Sequence, residues 1–261
     1  MLESLYIGAT GMQAQQANLD VIANNMANIN TAGFKRSRLE FEDLLYRALP
    51  GVSGATGPVT SGMGTSVALS DKVFTVGTVQ QTNQPYDLAI NGQGFFEVVL
   101  PDGTNAYTRN GAFHVSADGT LLNQDGYPLS AKIVVPSDAT AVTVGADGTV
   151  QATEPSSKDP VSLGQIQLVT FVNPDGLTPV GDNLYVATSD SDTESGAGDP
   201  QSSVAGQNGT GTLQQGYLEA SNVNLVDEMV NLVIAQRAYE VNSKVVQASD
   251  QLLSLSNNLY R

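Results

Sequence analysis

The closing stretch, Ser221 to Arg261, contains neither glycine nor proline, and its apolar residues recur every seven positions. One row is Ala238, Val245, Leu252 and Leu259; the other is Ile234, Val241, Ala248 and Leu255. Apolar residues spaced alternately by three and four share one helical stripe. Held over several heptads, they form a seam that requires a partner helix. Asn222 and Asn224 are candidate N-caps, and Asp227 and Glu228 place negative charge in the first turn, where the helix dipole favours it. A helix from Leu225 to Leu259 would run roughly 50 Å, too long to fold back over a small domain. Ala238 and Ala248 are places where a neighbouring backbone can come close.

A second helical segment is expected over residues 2–30. Leu5, Met12, Leu19 and Met26 are spaced by sevens, with Ile22 and Ile29 at the offset of three. Asn24, Asn25, Asn28 and Asn30 are interleaved with apolar residues. Such a density of amides predicts bonding to a neighbour, or a solvated face ending in a cap. Gly33 is expected to end this helix, with Lys35, Arg36 and Arg38 beside its negative pole. Residues 39–49 (Leu39, Phe41, Leu44, Leu45, Leu49) read as a short amphipathic helix or turn.

Composition then shifts. All 11 prolines lie between Pro50 and Pro200, and residues 50–66 hold little but small residues, so they read as an extended arm. From Val67 to Tyr217, Asp-Gly and Asn-Gly pairs punctuate short strand-like runs: Phe95–Leu100, Ala112–Val115, Ile133–Val135, Ala141–Val144, Gln165–Val172 and Leu184–Ala187. Residues 189–212 read as an acidic loop. The expected fold class is therefore α+β. An antiparallel all-β domain (71–218) is inserted, through an arm (41–70), into a discontinuous, coiled-coil-like helical domain made of residues 1–40 and 219–261.

Charge and composition exclude several functions. The net charge of −15 argues against nucleic acid and anionic membrane surfaces. It is concentrated in residues 41–218, where 18 acids face 5 bases. The absence of cysteine excludes thiol catalysis and thiolate metal sites. No run of about 18 apolar residues is present to span a membrane. The N-terminus lacks the pattern of a cleaved signal peptide, so the expected location is the cytosol, or outside it by a route needing no such signal. His114, the only histidine, sits at a strand end and reads as structural. Gly92-Gln93-Gly94 lacks the third glycine and lysine of a phosphate loop. Asp190, Asp192 and Glu194 alternate as at the start of a calcium loop, but Ser195 and Gln201 stand where such a loop needs Gly and Glu. The Asp-Gly-Thr triplets at 102, 118 and 147 are explained by hairpin turns. No catalytic residue, metal or cofactor is expected. A β-rich hydrolase dimerised by its helices and a secreted calcium-dependent adhesin are the alternatives from other classes.

Three parts of the chain carry a resemblance. Ile22-Ala-Asn-Asn-Met-Ala-Asn-Ile-Asn-Thr-Ala-Gly-Phe-Lys35 resembles the N-terminal signature of the bacterial flagellar rod and hook proteins. Gln215 to Lys244, including Gln236-Arg-Ala-Tyr-Glu240, Asn242 and Ser243, resembles their C-terminal one. Ala89–Phe96 and Tyr107–Thr120 resemble their shared β-domain motifs. Within the signatures, Asn30, Thr31, Gly33, Phe34 and Lys35 match at one end and Ala238, Tyr239 and Glu240 at the other. Phe41-Glu-Asp-Leu-Leu-Tyr46 and the chain length are similar to the distal-rod members; hook proteins are longer, and proximal rod members are the nearest alternative. The resemblance implies a helical homopolymer with the terminal helices inside and the β domain outside, transmitting torque from motor to hook. Implied partners are further copies of the chain, proximal rod proteins, the hook protein, the ring bushing and the flagellar export apparatus. The implied location is the basal body within the periplasm. It also implies that Leu5, Met12, Leu19, Ile22, Met26 and Ile29, with the seam residues of the C-terminal helix, are self-assembly contacts whose register Asn24, Asn25 and Asn28 fix. Residues 50–66 lie where distal rods carry a segment linked to rigidity.

Overall fold

A computed structural model describes residues 2–48, 60–155, 160–187 and 198–259. The chain divides into two units. The first comprises residues 1–27, 37–72 and 223–261; the second comprises 28–36 and 73–222. The architecture is α+β, with a helix at each end and antiparallel strands between.

The first unit is built on α1 (Leu2–Ala27) and α2 (Leu225–Leu259), about 39 and 52 Å long at 1.5 Å per residue. They run antiparallel. A Cβ on Gly8 would meet Val246, and one on Gly11, a turn further on, would meet Asn242. Asn224 caps α2: its Oδ1 accepts from the Val226 amide at 3.1 Å, and its carbonyl accepts from the Glu228 amide. Asn222 does other work. It accepts from the Arg36 amide and donates to the Val73 carbonyl.

Residues 39–48 form mainly strands where a short helix or turn was expected, and Leu49 lies outside the described residues. β1 (Ser37–Asp43) pairs with β4 (Thr65–Lys72) from Ser37↔Lys72 to Asp43↔Thr65, and β2 (Tyr46–Ala48) pairs with β3 (Thr60–Gly62). The apolar spacing suited either period over so short a run, and the partner strand decided the outcome. Part of the 50–66 arm is thus strand; residues 50–59 lie outside the described residues. α1 also ends earlier than expected, at Ala27. Gly33 does adopt a left-handed conformation (φ 70°), but in a turn six residues on.

The second unit is all antiparallel. A four-stranded sheet has the order Leu177–Gly181, Leu184–Ala187, β8 (Asn105–Thr108), β7 (Phe96–Val99). A three-stranded meander joins Ala141–Val144, Thr149–Thr153 and Val161–Gln165. β5 (Val79–Gln81) pairs with Tyr217–Glu219, and β6 (Leu88–Asn91) with Thr212–Gln215. The main core gathers Leu88, Ile90, Phe96, Val98, Ile166 and Leu168, all buried. A second cluster sets Phe95 among Phe74, Phe171 and Tyr185, edge to face. Ile133–Val135 is buried at both ends but makes only a single bridge, Thr120↔Val134, and no strand. Residues 189–212 are not all loop. Gln201–Val204 pairs with Gln167–Thr170, while Asp190, Asp192, Glu194 and Ser195 lie outside the described residues.

The Asp-Gly-Thr carboxylates serve their own turns. Asp102 accepts from the Thr104 amide and hydroxyl at 3.0 and 2.7 Å, and Asp147 does the same with Thr149. These bonds hold both carboxyls below the usual range. Among the described residues, no cluster of three potential metal ligands occurs, and no helix is long and apolar enough to cross a membrane.

Candidate assembly surface

The covered and uncovered faces of α2 differ in chemistry. Ala235 and Ser249 are buried, and Leu232, Asn242, Val246 and Leu253 are half-buried on the same side. These residues follow a heptad of their own, in which the small or polar Ala235, Asn242 and Ser249 stand among Leu232, Val246 and Leu253. Small residues let the α1 backbone approach closely at Gly8 and Gly11. The apolar seam read from the sequence is elsewhere. Ile234, Val241, Val245, Leu252 and Leu255 are 61, 58, 43, 55 and 59% exposed. They lie about 80–160° around the helix from Ala235. The seam that requires a partner helix therefore does not find it in α1 of the same chain. Apolar strength predicted the wrong face, because close approach, not large side chains, selects the helix–helix contact here. Ala238 is half-buried beside the covered face and Ala248 is exposed; Leu259 closes the helix, and its side chain is outside the described residues. Toward the start of α2, Val226, Met229, Val230 and Val233 add exposed apolar surface on the remaining sides.

On α1, Leu5, Met12, Leu19 and Met26 are half-buried and Ile22 is buried; Ile29, beyond the helix, is half-buried. The asparagines separate. Asn25 is 1% exposed, and its amide donates to the Ser37 carbonyl while its Oδ1 accepts from the Ser37 amide. It reads one residue of β1 in both directions. Asn24 is exposed, and Asn28 is half-buried, its Oδ1 accepting from the Thr31 hydroxyl. Burial of all three within the chain is thus not observed.

The N-terminal signature residues make a second, different site inside the strand-rich unit. The Gly33 amide donates to the Glu219 carbonyl at 2.8 Å, and a Cβ on Gly33 would stand 2.5 Å from the Asn110 nitrogen. Phe34 is buried; Thr31 is half-buried and Asn30 exposed. Lys35 does not serve a helix terminus. It is completely buried and donates to Glu219 Oε1 at 2.5 Å and to the Thr75 carbonyl at 2.7 Å. Arg109 Nη1 lies 3.3 Å from Glu219 Oε2, and its Nη2 donates to the Gly92 carbonyl. Glu219 Oε1 also accepts from the Gly77 amide. Burial pushes the Lys35 ammonium below its usual pKa, with Glu219 pulling it back up. Arg109 is lowered for the same reason and opposed by the same carboxylate. Arg38 instead makes an exposed pair with Glu40 at 2.7 Å. Sequence reading missed Arg109 and Glu219. Both lie within the quoted motifs, Tyr107-Thr-Arg-Asn-Gly and Gln215-Gly-Tyr-Leu-Glu, and one charge per motif was the available signal.

The C-terminal signature is largely surface. Gln236, Arg237, Tyr239 and Glu240 are exposed, with Arg237 and Glu240 paired at 2.8 Å; Asn242 and Ser243 are half-buried. His114 is exposed.

Known proteins align with these regions. The family described as "Flagella basal body rod protein" matches residues 5–35. "Flagellar hook protein FlgE/F/G D1 domain" matches 89–152, and "Flagellar basal body rod FlgEFG protein C-terminal" matches 214–259. The chain is 41% identical over 270 residues to the flagellar basal-body rod protein FlgG of Borreliella burgdorferi, with all of both chains covered. It is 44% identical to that of Buchnera aphidicola (subsp. Schizaphis graminum), covering 99% of this chain and 100% of the relative. To the flagellar basal-body rod protein FlgF of Caulobacter vibrioides it is 36% identical, over 97% of this chain and 95% of the relative.

Proposed function

The chain belongs to the flagellar basal-body rod family, and on that premise we propose that it is the structural subunit of the distal rod, polymerising into a torque-bearing helical tube. It is a structural protein of the flagellar basal body, not an enzyme of any family it matches. The observation that carries the polymer reading is the exposed apolar stripe of α2. A fully buried Leu, Ile or Val contributes about 1.5–3 kcal/mol, so burying the half still exposed contributes about 1 kcal/mol per side chain. Association costs at least several kcal/mol, so no single contact suffices and a subunit needs several neighbours.

The proposed contact set is Ile234, Ala238, Val241, Val245, Ala248, Leu252, Leu255 and Leu259 on α2, with Leu5, Met12, Leu19, Met26 and Ile29 from the N-terminal segment; Ile22, already buried within the chain, is not part of it. The contact is head-to-tail and non-closing, which yields a filament. Coiled-coil-like packing between neighbouring copies, with Asn24 and Asn28 at its polar edge, follows from the same reading. So do the further partners: proximal rod proteins at one end, the hook protein at the other, the ring bushing around the tube, and an export apparatus delivering subunits to the periplasm.

Leu252→Asp tests it. An unpaired carboxylate on the stripe costs several kcal/mol when neighbours cover it and almost nothing in the monomer. Electron microscopy of concentrated protein is expected to show straight tubes for the wild type and none for the variant, with the monomer's melting unchanged. Tubes of normal yield from Leu252→Asp, or discrete particles from the wild type, would refute the reading.

A further inference from the structure

Asn91-Gly92, Asn110-Gly111 and Asn208-Gly209 are three copies of one reactive dipeptide. A glycine after an asparagine sets no side chain in the way of its own nitrogen, so that nitrogen can reach the asparagine amide carbon and close a five-membered imide. Closure needs rotation about the asparagine Cα–C bond, which carries the whole peptide unit with it. The fold decides which of the three pairs can turn.

Two of them are clamped. Asn91 pairs with Thr212 at the end of β6, and the Gly92 carbonyl accepts from buried Arg109 at 2.8 Å. A Cβ on Gly92 would stand 2.7 Å from Gly211 Cα, so the backbones there are in close contact. Asn110 Oδ1 accepts from the Ala112 amide at 3.1 Å. Gly111 is buried against the Leu88 carbonyl, and its own carbonyl accepts from the Leu88 amide at 3.0 Å.

The third pair is open. Asn208 and Gly209 are both exposed, at the tip of the connection between Gln201–Val204 and Thr212–Gln215. Both have positive φ (50 and 82°), and the Thr210 amide donates to the Gln207 carbonyl at 2.9 Å, the pattern of a type I′ turn. Nothing stands within 4 Å of a Cβ built on Gly209, and the Gly209 amide makes no hydrogen bond among the described residues. The Asn208 side chain has one hydrogen bond, from its Nδ2 to Ser203 Oγ at 3.1 Å. Freedom ends at Thr210, which is buried with its hydroxyl 2.7 Å from the Gln207 carbonyl.

We propose that Asn208 is a spontaneous modification site, cyclising with Gly209 and deamidating in the folded protein while Asn91 and Asn110 are spared. The Gly209 nitrogen gives its proton to hydroxide and bonds Asn208 Cγ; the Cγ–Nδ2 bond breaks, and Nδ2 leaves as ammonia. Water then opens the succinimide. Attack at Cγ yields aspartate, and attack at the backbone carbonyl yields isoaspartate, with an extra methylene in the main chain. Either product adds one negative charge to the chain's −15. Aspartate tolerates positive φ and keeps the turn. Isoaspartate lengthens the path from Gln207 to Thr210 and breaks the hydrogen bond between them. None of this depends on the polymer reading.

The test follows full-length protein at mildly alkaline pH, folded and in concentrated urea, with peptides covering the three pairs measured by mass spectrometry. In the folded protein Asn208 is expected to convert at least about tenfold faster than Asn91 or Asn110, because those two must open locally first. In urea, where the clamps are gone, that difference is expected to vanish. Asn208→Asp removes the leaving amide and is expected to abolish the fast phase of ammonia release. Asn208 staying intact in the folded protein while the urea-treated chain converts, or all three pairs converting at one rate in the folded protein, overturns the proposal. A fast phase of ammonia release that persists in Asn208→Asp overturns it too, since the reactive amide then lies elsewhere.

Discussion

Replacing Glu219 by Gln keeps the shape of the side chain and removes the carboxylate that Lys35 and Arg109 share. Both cations are buried, so neither can recover the lost interaction from water. Breaking a buried pair by removing one partner costs about 3–5 kcal/mol. That is roughly two to four decades in the unfolding constant. Buried Tyr107 and Tyr185 report the strand-rich unit in near-ultraviolet circular dichroism, and the chain has no tryptophan to obscure them. At an m-value of about 2 kcal/mol/M the urea midpoint is expected to fall by about 2 M. The loss also carries a pH signature. Lys35 in the folded protein titrates below 10.5, so between its folded pKa and 10.5 the unfolded chain binds more protons. Stability contributed through Lys35 is therefore lowest below the folded pKa and rises with pH through that window. Glu219 raises the Lys35 pKa, so Glu219→Gln extends the window downward, and the variant should begin to regain stability at a lower pH than wild type. Lys35→Met in the Glu219→Gln background should restore part of the loss. A cost below about 1 kcal/mol, or an unchanged pH profile, would refute the cluster as a charge-compensated anchor.

Two further substitutions read other parts of the fold. Gly33→Ala forces a left-handed conformation on an L side chain and sets its Cβ against the Asn110 backbone; a loss of about 3 kcal/mol, near 10 °C in melting temperature, is expected by calorimetry. A variant that melts within 2 °C of wild type, on the same scale, would show that the turn has room to give. Asn25→Ala leaves the Ser37 amide and carbonyl without their partner and is expected to cost about 2–3 kcal/mol. Hydrogen exchange at the Ser37 amide should accelerate; unchanged protection would mean that β1 is held by its strand partner alone.

Where one physical signal dominated locally, the sequence was informative. α2 runs from Leu225 to Leu259 as the heptads and the Asn224 cap imply, because thirty-five residues without Gly or Pro admit little else. Ala141–Val144 and Leu184–Ala187 appear with the bounds their alternation and turns suggest. What failed was non-local. Residues 37–43 carry a spacing open to helix or strand, and only pairing with residues 65–72 selects the strand. The choice of α2 face depended on Gly8 and Gly11 in a helix more than 200 residues away, whose absent side chains leave no hydropathy signal. Lys35 looked like a solvated cation near a helix end because its partners, Arg109 and Glu219, are distant in sequence. A hydropathy pattern reports which faces want cover; it does not report which of two faces a particular neighbour fits.

The 184 positions between Lys35 and Glu219 give the order of events during synthesis a structural meaning. Lys35, Thr75 and Arg109 are all made long before the carboxylate that reconciles them. A nascent or truncated chain ending short of residue 219 would hold two like charges facing one another, and closing over them would be uphill. The strand-rich unit thus behaves as a lock whose key is cut last. A chain truncated before residue 219 is thus expected to leave this unit loosely packed, and the full-length chain to close it, a difference that hydrogen exchange would read.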